Sequence, residues 1–362
     1  MKPGRFNIII GAQAGSESKG KISAYLAAKH RTSVLYMSSS PNAGHTVIDA
    51  YDRKFVTYHL PAAAVACNAT IVLGPSSIIN PKILANEIEQ NNINPARIII
   101  DPRAISITEE HLRSESRNNL SDIGSTLQGV GAARIAKLMR GDVNYLRDDP
   151  MIRFKFPSID FSPTTPYLHS RLASGAVVLA EMTQGFDLCL DHGIHPRYCT
   201  SKILSPSSVM AEAGIPPQGI GDIYGVLRPY PIRVNNRTGT SGPYTGSTEI
   251  TWDTVALACG YPDHLPPLEE ITTTTKLPRR VFTFSWERFA HFCMVCRPTH
   301  LALNFANYID WSNLGKTSYN SLSQRTQHFV EELRRVAVCP VSLIGTGPGE
   351  KEIVDIEGGT AP

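Results

Sequence analysis

The sequence predicts an α/β fold: a large, mostly parallel central sheet with crossover helices. Three observations carry this. Apolar, β-branched runs recur between helical stretches. The runs are near-continuous rather than alternating, which marks strands buried on both faces. The first of them leads straight into a glycine-bearing loop, two lysines and a helical pattern, the order in which a backbone wraps a phosphate.

That first unit is FNIIIGAQAGSESKGK, residues 6–21. Residues 7–10 form the strand, and Gly11 to Gly20 the loop. Glycines let amide groups approach an oxyanion, the helix N-terminus adds its dipole, and Lys19 and Lys21 add charge. Residues 15–21 read G-x-x-x-x-G-K, a P-loop-like phosphate loop. Ile22 stands where a Walker A loop carries Ser or Thr, so a Mg²⁺-binding hydroxyl comes from elsewhere or is missing. A plain strand–helix turn is the alternative reading.

Further strands are expected at 33–37, 70–73, 97–100, 176–179, 299–303 and 341–344. Helices are expected at 79–91, opening near Asn80-Pro81, and at 321–338, where the apolar spacing is amphipathic. Pro/Gly/Thr-rich stretches at 214–225, 235–251 and 261–278 read as long active-site loops. There is no internal repeat and no clean linker, so residues 1–362 are read as a single domain.

Apolar content of 42% and charged content of 19% describe an ordinary globular chain, and Lys plus Arg exceed Asp plus Glu by only three. Such a balance provides little field to attract nucleic acid. No apolar window is long enough for a transmembrane helix, and the N-terminus lacks a signal-peptide pattern. Seven scattered cysteines point to reduced thiols and a cytoplasmic setting. Cys293 and Cys296 form a lone CxxC in an apolar segment and read as buried structural thiols.

Four other clusters carry chemistry. Pro41-Asn-Ala-Gly-His-Thr46 makes a tight turn after a strand and presents His45 at the strand's carboxyl end, where α/β sheets bind ligands; a capped turn with a solvated His fits equally. Ser125-Thr126 beside Gly129 and Gly131 suits a phosphate monoester, or an ordinary turn. Thr183-Gln184-Gly185 puts an amide at a strand end, able to read a base edge. Residues 272–280 place hydroxyls, Arg279 and Arg280 on one loop, matching carboxylates or simply solvated.

Taken in order, these pieces resemble the adenylosuccinate synthetase family. The family's G-x-Q-W-G-D-E-G-K-G-K aligns with residues 11–21, its N-A-G-H-T with 42–46, and its Q-G with Gln184-Gly185. Its D-H-G, P and T-S align with Asp191-His192-Gly193, Pro196 and Thr200-Ser201. Its G-P-F-P-T-E is echoed at Gly242-Pro243-Tyr244 and Thr248-Glu249, its T-T-G-R-P-R-R at 274–280, and its late G-P at Gly347-Pro348. The family joins L-aspartate to C6 of a purine nucleotide after phosphorylating O6, with Mg²⁺. The resemblance implies catalytic roles at Ser16, Lys19, His45 and Gln184. It implies a donor-nucleotide site from Gly15, Glu17, Ser18, Lys19, Gly20, Lys21, Gly44, His45, Thr46, Asn304, Phe305, Asn307, Gly345, Gly347 and Pro348. The acceptor nucleotide falls to Ser16, Asn42, Ser125, Thr126, Arg140, Gln184, Thr200, Val234 and Leu277, and aspartate to Thr274, Thr275 and Arg279. Mg²⁺ falls to Ser16 and Gly44. Arg140 reaches a neighbouring subunit's site, implying a homodimer.

Three departures define the expected substrates. The family's guanine reader T-K-L-D is Asn304-Phe-Ala-Asn307; without the carboxylate, guanine loses its charged acceptor, and an Asn suits adenine's N6 and N7 edge. ATP or dATP is therefore the expected donor. The first arginine of R-P-R-R is Leu277, apolar and at home against a 2′-methylene. The family's catalytic Asp is Ser16, which leaves room for an exocyclic 2-amino group beside N1, with Glu17, water or substrate phosphate as candidate bases. The set resembles a bacteriophage branch of the family that makes N6-succino-2-amino-2′-deoxyadenylate from dGMP, L-aspartate and ATP for diaminopurine DNA. The alternatives are an ordinary member acting on inosinate and a nucleotide-binding pseudoenzyme.

Overall fold

A computed structural model describes the chain except residues 118–119, 236–240, 273–276 and 357–362. Among the described residues, nine strands form the central sheet. They are β1 (Phe6–Gly11), β2 (Val34–Met37), β3 (Thr70–Leu73), β4 (Ile98–Ile100), β5 (Val178–Gly185), β6 (Ile220–Leu227), β7 (His300–Leu303), β8 (Val341–Gly345) and β9 (Ile353–Asp355). Their order across the sheet is β9-β8-β7-β6-β1-β5-β2-β3-β4. All neighbours run parallel except β9, which runs antiparallel to β8.

The strands are apolar throughout because both faces are covered. Along β1, Phe6, Ile8 and Ile10 enter one core and Ile9 the other. Helices Pro206–Ala213, Trp286–Cys296 and Gln324–Ala337 pack on the first face through Val209, Phe292 and Leu333. Helices Lys19–Lys29 and Pro81–Gln90 pack on the second through Ile22, Leu26, Leu84 and Ile88. Cys293 and Cys296 are buried on the first face, and burial pushes both thiols up. No described helix is long and apolar enough to cross a membrane.

The expected loop at 214–225 is a correction. It contains the start of β6, a central strand paired with β1. Its glycines mark close approach rather than turns: a Cβ at Gly225 would lie 2.9 Å from the Phe292 ring, and one at Gly221 would lie 2.5 Å from the Asn7 side-chain oxygen. Glu249–Ile250, inside the expected loop 235–251, joins Arg279–Phe282 and Ile232–Val234 in a small antiparallel sheet.

Because the sheet is parallel, β1, β2, β5, β6, β7 and β8 all deliver their carboxyl ends to one edge. The phosphate loop, the turn at 41–45, Gln184, Arg228, Asn304-Phe305 and the turn at 345–348 therefore gather there.

Helix Pro81–Gln90 carries a buried acid, Glu87, whose oxygens accept the amides of His59 and Leu60, both at 2.8 Å. Burial, opposed by these amides, pushes its pKa up to about 8. The folded value lies above the ordinary one. Its contribution to stability is therefore fully present below about pH 4.5 and is lost as pH rises through about 8. The unfolding free energy of the wild type should fall more steeply over that window than that of Glu87→Gln, measured by urea titration; equal slopes would contradict this.

Candidate active site

The phosphate loop is shaped by a carboxylate that points inward. Glu17 is fully buried; Oε1 accepts the amides of Gly15 at 2.8 Å and Gln13 at 3.2 Å, and Oε2 pairs with Lys19 Nζ at 2.8 Å. The space for it exists because two neighbours have no side chain: a Cβ at Gly11 would lie 2.5 Å from Oε2 and one at Gly185 2.5 Å from Oε1. Gly15, Ser16 and Ser18 take left-handed φ values of 93°, 59° and 61°. Held left-handed conformations at non-glycine residues cost roughly 1–3 kcal/mol each, which the surrounding contacts offset.

One of those contacts is Arg228, which follows β6 and has no exposed surface. Its guanidinium donates to the Ser16 carbonyl at 3.2 Å and makes a two-point pair with Glu270 at 3.0 and 2.5 Å. Its centre lies 4.2 Å from the Phe305 ring centroid. Glu270 also accepts from Arg279 at 2.6 Å. An isolated buried guanidinium costs several kcal/mol, so the two-point pair is what makes it tolerable.

His45 is nearly buried, and its Nδ1 is hydrogen-bonded to Glu181 on β5. The other Glu181 oxygen accepts the Ala62 amide at 2.9 Å. Burial would raise the Glu181 carboxyl, but His45 and the hydrogen bonds hold it below its ordinary value. Nδ1 is thus occupied, and Nε2 is the ring nitrogen left for a ligand.

A cavity of about 420 Å³ collects Gly15, Ser16, Glu17, Ser18, Lys19, Gly20, Asn42, Gly44, His45, Thr46, Thr126, Gln184, Val234, Arg279 and Phe305 on its walls, with Glu270 and Tyr308. An adjoining one of about 380 Å³ shares Asn42, Thr126, Gln184 and Val234 and adds Ser125, Thr200 and Arg233. Thr126 donates to the Asn42 side chain at 2.7 Å, linking the two.

Other expected residues lie elsewhere. Lys21, expected at phosphate, instead donates to the carbonyls of Gly347 and Glu352 at 2.5 and 2.8 Å, and burial lowers its pKa to about 8. Gly345, Gly347 and Pro348 thus form a turn tied to the loop's far side rather than a cavity wall. Asn304 is buried and donates to the Glu17 carbonyl at 2.7 Å. It braces the loop rather than lining the cavity, and Asn307 is buried outside it. Leu277 pairs with Thr272 at the root of its loop, outside both cavities. Arg140 is exposed after helix Val130–Leu138. Thr274 and Thr275 lie outside the described residues.

Glu181, Arg228, Arg233, Glu270 and Tyr308 were not anticipated. Glu181 carried a signal: a carboxylate inside an apolar strand needs a buried partner.

A cavity walled in this way at the carboxyl edge of an open parallel sheet belongs to an α/β enzyme that handles phosphorylated ligands. The adenylosuccinate synthetase family model matches residues 8–152 and 158–313. The N6-succino-2-amino-2′-deoxyadenylate synthase of Vibrio phage phiVC8 is 33% identical over 351 residues, covering 94% of this chain and 95% of that protein. The adenylosuccinate synthetase of Pyrococcus horikoshii is 30% identical over 360 residues, covering 96% and 97%. Among solved structures, the succinoaminodeoxyadenylate synthetase (PurZ) of cyanophage S-2L, bound to dGMP and to dATP as an energy donor, matches with a TM-score of 0.79 at 30% identity, covering 97% of this chain and 95% of that one. The fully ligated Plasmodium falciparum adenylosuccinate synthetase shares the fold, with a TM-score of 0.82 at 19% identity. The chain belongs to the adenylosuccinate synthetase family and is a nucleotide-dependent C–N ligase.

Glu181→Gln keeps the size of the partner but removes the charge that orients His45. It is expected to lower kcat at least about tenfold while the KM values change far less, read from steady-state kinetics. An unchanged kcat would remove His45 from the chemistry.

Proposed function

We propose that this enzyme joins L-aspartate to C6 of dGMP at the expense of ATP or dATP, giving N6-succino-2-amino-2′-deoxyadenylate, ADP or dADP, and phosphate. The observation that carries the reading is the convergence of Ser16, His45 and Gln184 on one cavity with the phosphate loop. The similarity to phage synthases of that name supports it.

In the first step guanine O6 attacks the donor's γ-phosphorus, a P–O bond forms and the nucleoside diphosphate leaves. Lys19, paired with Glu17 on the wall, and His45 neutralise the charge that develops on the phosphoryl oxygens. Glu181 holds Nδ1 of His45 and fixes the ring plane, so that Nε2 is the nitrogen turned to the transferring group. In the second step the aspartate amine attacks C6, the C6–O bond breaks and phosphate departs. Arg279, fixed by Glu270, receives an aspartate carboxylate. Glu17 reaches the wall, but its oxygens are engaged by the amides of Gln13 and Gly15 and by Lys19, so the N1 proton passes to water or to a substrate phosphate oxygen.

Ser16 replaces a carboxylate with a small neutral group and so accepts the 2-amino group that distinguishes guanine from hypoxanthine. Residues 304–307, the segment that resembles the family's guanine reader, contain no acid; Asn304 and Asn307 stand outside the cavity, and Phe305 on its wall provides a stacking surface for the donor's base. Inosinate as acceptor, and a non-catalytic binder, are the less favoured readings; the oriented His45–Glu181 pair has no use in a protein that only binds.

Among the described residues no three His, Cys, Asp or Glu side chains gather as a metal site. Ser16 and Gly44 line the cavity and offer hard oxygen donors, which fits Mg²⁺ held chiefly by nucleotide phosphates. When bound, the ion supplies charge neutralisation at those phosphates. A homodimer is part of the proposal: Ile135, Leu138 and Met139 are 62%, 74% and 76% exposed beside Arg140, an apolar face suited to a second copy.

The test is product mass after incubation with dGMP, L-aspartate, Mg²⁺ and ATP. The succinyl adduct of dGMP is expected, with inosinate turned over at least about tenfold less efficiently and GTP a poor donor. Turnover of inosinate but not dGMP would overturn the reading.

A further inference from the structure

Arg233 is a buried cation that the reaction as described does not use. It sits in the middle of the short strand Ile232–Val234 and is 3% exposed. Its Nε donates to the Ser241 hydroxyl at 3.2 Å and its Nη2 to the Ser241 carbonyl at 2.5 Å. Among the described residues its buried Nη1 has no hydrogen-bond partner. No described carboxylate lies within ion-pair distance of it, whereas its neighbours are paired: Arg280 with Glu249, Arg228 and Arg279 with Glu270, Arg288 with Asp187.

The strand register sharpens the point. Arg233 lies directly opposite Arg280 in the antiparallel pair, and like charges so placed destabilise a sheet. A buried guanidinium with no ion-pair partner among the described residues, facing another arginine, has an electrostatic cost that Asp187, itself engaged by Arg288 and Tyr244, offsets only in part. An anion would repay it. Arg233 lines the smaller cavity together with Ser125, Thr126, Thr200 and Ser201, a set of hydroxyls able to donate to phosphate oxygens. Among the described residues the one acid on that wall, Glu115, is turned to the amides of Gly129 and Gly131, both at 2.8 Å, and does not neutralise Arg233.

We propose that Arg233 is the chain's own guanidinium for the acceptor nucleotide's 5′-phosphate, completing the hydroxyl site formed by Ser125, Thr126 and Thr200. The inference rests on the nucleotide-acceptor reading of this cavity. Nη1, the nitrogen without a described partner, is the one left for the phosphate, while Ser241 holds the other two nitrogens and so fixes the plane of the fork. Phosphate binding at this point relieves the repulsion with Arg280, so the ligand stabilises the small sheet that also carries Arg279.

The test compares wild type with Arg233→Met and Arg233→Lys, using dGMP, deoxyguanosine and inorganic phosphate as probes. Calorimetry should show dGMP binding weakened roughly 10- to 100-fold in Arg233→Met, the range expected for losing a hydrogen bond to a charged group. Deoxyguanosine binding should be unchanged, and Arg233→Lys should recover part of the loss. The ligand-free Arg233→Met protein should melt no lower than wild type, because the charge it loses is only partly compensated, and should lose most of the upward shift that phosphate or dGMP gives wild type. A lower melting temperature with an intact dGMP-to-deoxyguanosine ratio would make Arg233 a structural residue and overturn the proposal. These readouts are binding and melting, so they stand apart from product formation. If wild type binds dGMP without forming adduct, the ligase reading fails and the Arg233 claim is still decided.

Discussion

The phosphate loop depends on one carboxylate that turns its back on the ligand. Glu17 collects two loop amides and Lys19 into a buried knot, and it fits only because Gly11 and Gly185 offer no Cβ. Ser16 and Lys19 inherit their positions from that knot. Ser16, immediately before Glu17, is driven into a left-handed conformation and clamped there through its carbonyl by Arg228. Lys19, directed by Glu17, becomes a fixed rather than a wandering charge. Two loop amides, of Gln13 and Gly15, are taken by Glu17, so charge neutralisation at a bound phosphate falls more on side chains than in a loop whose amides all face the ligand.

The same logic joins the two ends of the site. Arg228 touches Ser16 on one side and Glu270 on the other, and Glu270 touches Arg279. The loop at 11–20 and Arg279 thus share one buried network of ion pairs and a hydrogen bond. Removing a partner from such a network leaves an uncompensated charge, a larger effect than the net worth of the pair itself. Pre-organisation is bought here with ion pairs rather than with loop rigidity.

Much of the sheet was legible because buried parallel strands are written as unbroken apolar runs. Residues 70–73 and 341–344 match their strands nearly residue for residue. β6 was illegible because Gly221 and Gly225, placed for packing against Asn7 and Phe292, look in sequence like turn residues. In the site, residues fixed by their own turn, such as His45 and Gln184, could be located from local sequence. Lys21 and Asn304 could not. Their partners, Gly347 and Glu17, are more than 280 positions away, and only the folded sheet brings them together. Glu270 and Arg228 were missed for the same reason: a charge inside a Pro-rich stretch reads as solvated until its partner is seen.

The account stands on Ser16 as the space and hydrogen-bond partner for a purine 2-amino group. The most direct measurement is a structure of the enzyme with dGMP bound. The nucleotide's N2 is expected within hydrogen-bonding distance of Ser16, about 3 Å, with O6 toward the phosphate loop and the 5′-phosphate in the smaller cavity. A dGMP whose N2 points away from Ser16, with the base reversed or seated elsewhere along the edge, would contradict the account.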